Sequence, residues 1–308
     1  MEQNTEIEDI NLIEMFKIIF KNKILIFSIT SIFAISSVLY SLSLPNIYHS
    51  SALVFPAESQ DSAMSEMSQR YGSIAAIAGI SIPSSGTANK VNLAINKLNS
   101  REFLGKLLEK KGIKEKIFAT ESFDRNSSKI IYDPKLYNSL SGKWVREAHP
   151  PFKSEPSILE VHELYLSETI SVSHDRLTNF INITVKHKSP LFAKELLELI
   201  ISEINNQTRV ESINESNRAL EYLRSEYNKT SDIGMRDSIS RLIESQMKIQ
   251  MLANVQDDFL LNVVDGAYIP EKKSSPSRSI ICIIGTLFGF ILSILLVFVR
   301  RLQQDKNF

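Results

Sequence analysis

Hydrophobic positions along the chain fall into two regimes: long uncharged runs near the two ends, and amphipathic, periodic stretches between them. Ile24–Leu44 and Ser279–Val299 each hold 21 residues without a charge or a proline. As helices they would reach ~31 Å, the thickness of a hydrocarbon core. A buried core helix is the alternative, but uncharged runs of this length are rare in soluble proteins, so both are read as transmembrane. The first run is longer than the apolar core of a signal peptide, and it ends in Ser43-Leu44-Pro45 without an Ala-x-Ala site.

Between the runs the period changes repeatedly. Ile47–Phe55 reads as a strand stopped by Pro56. Residues 57–90 are rich in Ser, Gly and Ala and contain the apolar patch Ile74–Ile80, too short to span, which is a packing loop or a surface facing another subunit. Helical spacing returns with Val91, Ile95 and Leu98, then Phe103, Leu104, Leu107 and Leu108, and Gly112 is expected at C′. Thr169–Asp175 and Phe180–His187 alternate with period two, and the short gap between them predicts a hairpin. Ser189-Pro190 then opens a helix, a capping hydroxyl followed by proline at N1, with Glu195 near the positive end of its dipole.

No proline or glycine follows until Gly234, so Pro190–Thr230 predicts one helix of ~60 Å. Its later apolar positions, Val210, Ile213, Leu220 and Tyr227, keep a 3-4 spacing, with Asn217 and Arg224 in the intervening slots. Such a narrow stripe suits one or two partner helices, and these four residues are the expected contacts between copies of the chain. A break at Ser231–Gly234 precedes a second helix with Ile239, Leu242, Ile243 and Ile249 on one face, and a strand over Phe259–Ile269 leads back to the second run. Strands at both membrane ends with long helices between them predict an α+β fold: a membrane-proximal mixed β-sheet base carrying a long helical arm. A two-helix projection buries little surface against itself, which points to homo-oligomerisation.

Charge sets the orientation. Lys17, Lys21 and Lys23 precede the first run and no Lys or Arg follows until Arg70, while Arg300, Arg301 and Lys306 follow the second. By the positive-inside rule both ends are cytoplasmic; Lys272, Lys273 and Arg278 argue otherwise, but they border a long loop, which translocates largely regardless of charge. Ile7–Phe20 reads as a short helix at the cytoplasmic interface. The net charge of zero argues against a nucleic-acid binder. The single cysteine, Cys282, excludes an intramolecular disulfide and a cysteine-based zinc site.

No catalytic constellation, cofactor motif or metal-ligand spacing stands out. There is no phosphate-binding glycine loop and no nucleophile elbow, and the histidines His49, His149, His162, His174 and His187 are scattered. His162-Glu163 lacks the second histidine of the zincin pattern, and His174-Asp175 reads as a solvated pair beside the hairpin turn. An enzyme is not expected. In the second run Gly285 and Gly289 form a Gly-x-x-x-Gly pair that Ser293 extends by a turn. Small residues at this spacing let helices approach closely in lipid, although glycine is also simply common in membrane helices. The candidate partners are the first run, another copy, or a different membrane protein.

Several segments resemble the Wzz-type chain-length determinants, the polysaccharide co-polymerases. Lys143-Trp144-Val145-Arg146 with Pro150-Pro151 is similar to the family's tryptophan segment. Ile183–Val185, Ser189-Pro190 and Ala193 resemble its strand-to-long-helix junction, continued by Ile204-Asn205, Ala219 and Tyr222-Leu223. Leu242-Ile243-Glu244-x-Gln246 and Met251–Val255 resemble its most recognisable helix. Val264-Asp265-x-Ala267, Pro270-Glu271-Lys272, Pro276 and Arg278 resemble its entry into the membrane, so Pro270, Pro276 and Arg278 are the expected entry motif. Gly266 stands where the family usually has proline, and Ser277 where lysine is common, which bears on the geometry of that entry.

The resemblance implies a bacterial inner-membrane protein whose copies form a ring. With a Wzy-type O-antigen polymerase the ring would set the chain length of a lipid-linked glycan, most simply lipopolysaccharide O-antigen. The implied division is a cytoplasmic segment 1–23, a span 24–44, a periplasmic domain 45–278 with its long helix at about 190–230, a span 279–299 and a cytoplasmic tail 300–308. The short tail is similar to the lipopolysaccharide branch rather than the branch that carries or partners with a tyrosine kinase. A second-span contact with the polymerase through Gly285 and Gly289 is one expectation. Two rivals share the layout: a two-span periplasmic sensor, which needs a cytoplasmic output domain, and an export-pump adaptor, which needs a lipoyl-like β-rich module. Neither is read here.

Overall fold

The computed structural model describes residues 20–57 and 87–305. The patch Ile74–Ile80 and, Phe20 excepted, the interfacial helix lie outside the described residues. In chain order the elements are α1 (Lys23–Ser43), β1 (Tyr48–Pro56), α2 (Thr87–Leu98), α3 (Arg101–Leu108), α4 (Ile113–Phe118), β2 (Thr120–Asp124), β3 (Lys129–Tyr132), β4 (Tyr137–Asn138), β5 (Lys143–Trp144), α5 (Ile158–Leu164), a π-helical turn (Tyr165–Thr169), β6 (Ile170–His174), β7 (Ile181–His187), α6 (Pro190–Lys229), α7 (Ile233–Val255), β8 (Leu261–Asp265) and α8 (Arg278–Asp305). They form two compact units, Met1–Asn46 with Ser274–Phe308, and Ile47–Lys273.

The first unit is a helix pair. Lys23–Ser43 and Arg278–Arg300 are long and apolar enough to cross a membrane, with mean hydropathy of 2.0 and 2.9. α1 stops at Leu44, which is extended (ψ 135°) as a residue before proline should be. Gly285 meets Ser37 and Gly289 meets Phe33, so one number falls as the other rises and the pair is antiparallel. Carried on, that register sets Lys23 beside Val299.

The second unit is α+β, with the expected helical arm. Its four-stranded sheet runs β6-β7-β1-β8. The sheet was expected to be mixed, yet all three ladders are antiparallel. β7 and β8 run parallel to each other across the helical hairpin α6–α7, but β1 inserts between them and they never pair. β1 and β7 alternate along their length, putting Ala52, Val54, Ile181, Ile183 and Val185 into one core. The first half of α6 closes it with Phe192, Leu196, Leu197, Ile200 and Ile204, all 0–1 % exposed. Each such side chain contributes on the order of 1.5–3 kcal/mol.

At three further places the local structure differs from the expected elements. The spacing from Val91 to Leu108 is two helices, because Ser100 accepts the Phe103 N–H (3.1 Å) and starts α3 afresh. Gly112 does have the left-handed backbone a C′ glycine uses (φ 85°), but it is the N-cap of α4. The strand over Phe259–Ile269 is laddered only at Leu261–Asp265, where a register shift opposite Leu53 and Val54 ends regular pairing. The hairpins β2–β3 and β4–β5 are elements that the sequence reading did not foresee.

Candidate functional site

The glycine seam brings the two spans into close contact. A Cβ placed on Gly285 would lie 2.5 Å from the Ser37 Cβ, and one on Gly289 would collide with the Phe33 Cβ. No real Cβ tolerates either contact, so the second helix approaches the first only because those positions are glycine. Ser293 is fully buried one turn further and turns its hydroxyl back to the Phe290 carbonyl (2.7 Å). Phe33 and Phe288 meet edge to face at 5.9 Å beside the seam. Of the three partners left open for this face, the structure places the first span against it.

The entry residues fall in different surroundings. Pro270 is buried within the unit Ile47–Lys273, and Pro276 is half-buried in the other. Arg278 donates from Nη2 to the Asn46 side chain (3.3 Å), linking the loop ends of the two spans. Its Nε is buried without a partner among the described residues. Before that, the Ser50 hydroxyl donates to the Tyr268 carbonyl (2.7 Å), holding the segment after β8 along β1.

Beyond Thr208 the long helix leaves the sheet and packs along α7. Ser216, Ala219, Leu220 and Leu223 form the buried side, facing Ile239, Leu242, Ser245, Gln246 and Ala253. Of the expected copy-to-copy contacts, Leu220 is thus buried within its own arm (5 % exposed) and unavailable to another copy. Val210 is 45 % exposed and Ile213 half-buried. Tyr227 is part-exposed, with the Arg236 guanidinium 5.2 Å over its ring. The 3-4 spacing of apolar residues placed Leu220 with the others; the seam instead follows Ser216 and Ala219, small residues that let α7 come close.

Two positioning groups, Asn205 and Arg146, were marked in the sequence by resemblance alone, without a structural role. Asn205, 4 % exposed, accepts the Leu260 and Leu261 N–H groups at Oδ1 (2.9 and 2.8 Å) and donates to the Leu261 carbonyl (2.9 Å). It ties the point where the arm begins to the start of β8. Arg146, flagged only by resemblance, donates to the Lys153 and Ser154 carbonyls and pairs with Glu160 (2.7 Å). Glu160 closes a capping box with Ser157 at the start of α5, and its hydrogen bond from Arg146 holds its carboxyl below the usual range. Trp144 packs edge to face on Tyr137 and Phe118, so the tryptophan segment is a structural staple.

His187 ends β7 and is buried. Its Nδ1 accepts the Ser189 N–H (3.0 Å), which leaves Nε2 to donate to the Lys116 carbonyl (2.9 Å). Burial above all pushes its pKa down, to about 4. Among the described residues no three His, Cys, Asp or Glu side chains are grouped to hold a metal ion.

Two family models match the chain. "Wzz: Chain length determinant protein" matches residues 8–111, and "GNVR: G-rich domain on putative tyrosine kinase" matches residues 241–302. No curated protein sequence matches. Among solved structures, a full-length bacterial polysaccharide co-polymerase is similar at 11% identity and a TM-score of 0.41, covering 96% of this chain and 99% of its own. A fragment of WzzB, a polysaccharide co-polymerase from Salmonella Typhimurium, is similar at 10% identity and a TM-score of 0.32, covering 75% of this chain and 100% of its own. The two matched segments contain the two long apolar helices, and they make this chain similar to the Wzz-type chain-length determinants, regulators of polysaccharide chain length.

Proposed function

We propose that the polymer is lipopolysaccharide O-antigen, and that the chain works from the bacterial inner membrane as a homo-oligomeric ring beside a Wzy-type polymerase and its lipid-linked glycan. The observation that carries this reading is the family match at both membrane-bordering segments, around an arm too thin to form a core of its own. Residues 1–23 and 300–308 lie in the cytoplasm, 24–44 and 279–299 span the membrane, and 45–278 stand in the periplasm. The antiparallel pairing of the spans supports termini on one side, and the basic residues Lys21, Lys23 and Arg300 make that side cytoplasmic.

The chain acts as a scaffold and carries no reaction of its own. Copies meet along the arm through Val210, Ile213 and Tyr227. Gly285, Gly289 and Ser293 hold the two spans together, and the polymerase meets the outward face of α8 at Ile284, Leu287 and Ile291. Pro270, Pro276 and Arg278 shape the return to the membrane. The test is a gel of surface lipopolysaccharide from cells lacking the gene, with and without its restoration. Loss of a clustered band distribution on deletion and its return on restoration would support the reading. An unchanged ladder would assign the regulated polymer elsewhere.

A further inference from the structure

At the basic end of the helix pair a cavity of about 290 Å³ opens between α1 and α8, lined by Phe20, Lys23, Ile26, Phe27, Thr30 and Phe290. Lys23, Ile26, Phe27 and Thr30 recur at i, i+3, i+4 and i+7, one face of one helix. The wall is almost wholly apolar, and its one charge stands at the mouth. Two observations distinguish it from an ordinary interhelical groove. First, Thr30 Oγ1 is buried without a hydrogen-bond partner among the described residues. In the same helices Ser37, Ser43, Thr286 and Ser293 turn their hydroxyls back onto their own backbone, while Ser41 Oγ, outside the cavity lining, is likewise buried without a partner among the described residues. Second, no ion pair among the described residues engages Lys23, and the register of the pair brings Arg300 to the same level.

We propose that this cavity binds one acyl chain of an anionic glycerophospholipid, with the phosphate on Lys23 and an ester oxygen accepting from the Thr30 hydroxyl. An apolar slot capped by a cation matches a molecule with a long hydrocarbon chain under a negative head, and the buried hydroxyl lies two turns (~10 Å) deeper, on the chain side of the phosphate. The inference rests on the reading that both helices span the membrane.

The test is native mass spectrometry of the full chain released from micelles loaded with phosphatidylglycerol or phosphatidylcholine of identical acyl chains. One phosphatidylglycerol per chain is expected to persist where phosphatidylcholine is lost. Lys23→Ala should lower that retention about fivefold, the effect of one cation near a lipid head. Lys21→Ala, whose side chain does not line the cavity, should leave it unchanged, and Thr30→Leu, which fills the slot, should lower retention of both lipids. Equal retention of the two lipids, or equal loss for Lys21→Ala and Lys23→Ala, would overturn the proposal. Alkaline extraction of membranes separates the two readings. A chain that is washed off does not span and both fail; a chain that stays but shows no Lys23 dependence sinks only the lipid site.

Discussion

At the scale of single residues, the junction between β7 and the long helix depends on one neutral imidazole. His187 accepts from the N–H of Ser189, whose own hydroxyl accepts the Phe192 N–H and caps the helix. Lys116 and Lys188 are the charges facing the ring, and both disfavour its protonation. The unfolded histidine titrates near 6.5 and the folded one near 4. Between those values the unfolded chain takes a proton that the folded chain refuses. The stabilisation, at most about 3 kcal/mol, is therefore complete above pH 6.5 and lost as pH falls toward 4. Denaturant unfolding of the full chain across that window should show the loss, and His187→Gln, which keeps both hydrogen bonds without titrating, should flatten it. A wild-type profile without slope there would mean that protonation does not reach this site.

At the scale of elements, α6 does two jobs along its 40 residues. Its first half is core and its second half is arm, and Asn205 sits at the changeover. Asn205→Leu would leave two buried N–H groups unpaired, at a cost of about 1–3 kcal/mol each, and should lower the melting temperature of the full chain. An unchanged melting temperature would show that water replaces the amide. Further out, Leu220→Ala should cost about 2–4 kcal/mol of stability, because it empties the seam with α7. Val210→Ala, on the open side, should leave unfolding unchanged while weakening assembly measured by light scattering. If the two variants behaved alike, the division of the arm into an inner seam and an outer contact would be wrong.

At the scale of the whole molecule, the pairing of the spans depends on backbone proximity. Gly289→Leu inserts a side chain where even a Cβ has no room, so the helices must separate at Phe33. Their hydrophobicity is untouched, so membrane insertion should persist while thermal stability in micelles falls. Lipopolysaccharide gels on the same variant then ask whether pairing of the spans matters for chain length. Normal stability with a changed ladder would instead point to a partner on the glycine face.

Periodicity and composition made much of the fold legible before any coordinates. The uncharged runs, the alternating strands around Asp175, the Ser189-Pro190 start and the proline-free stretch to Thr230 are local signals, readable because each depends on neighbours within a turn or a strand. The same reasoning could not say that β1 slots between β7 and β8, since strand order is chosen by which faces bury together. Nor could it place Leu220 inward and Val210 outward: both are apolar, and the approach of α7 along Ser216, Ala219 and Leu223 decided between them. Asn205 was marked only by resemblance, and its role could not be read because the backbone groups it binds lie some 55 residues away. The sequence by itself determined where the two long apolar helices, the helical arm and the β6–β7 hairpin lie, through short-range pattern. Only the tertiary structure decided which residues face the sheet, the partner helix or open space, because burial is a property of what arrives opposite a residue and not of the residue alone.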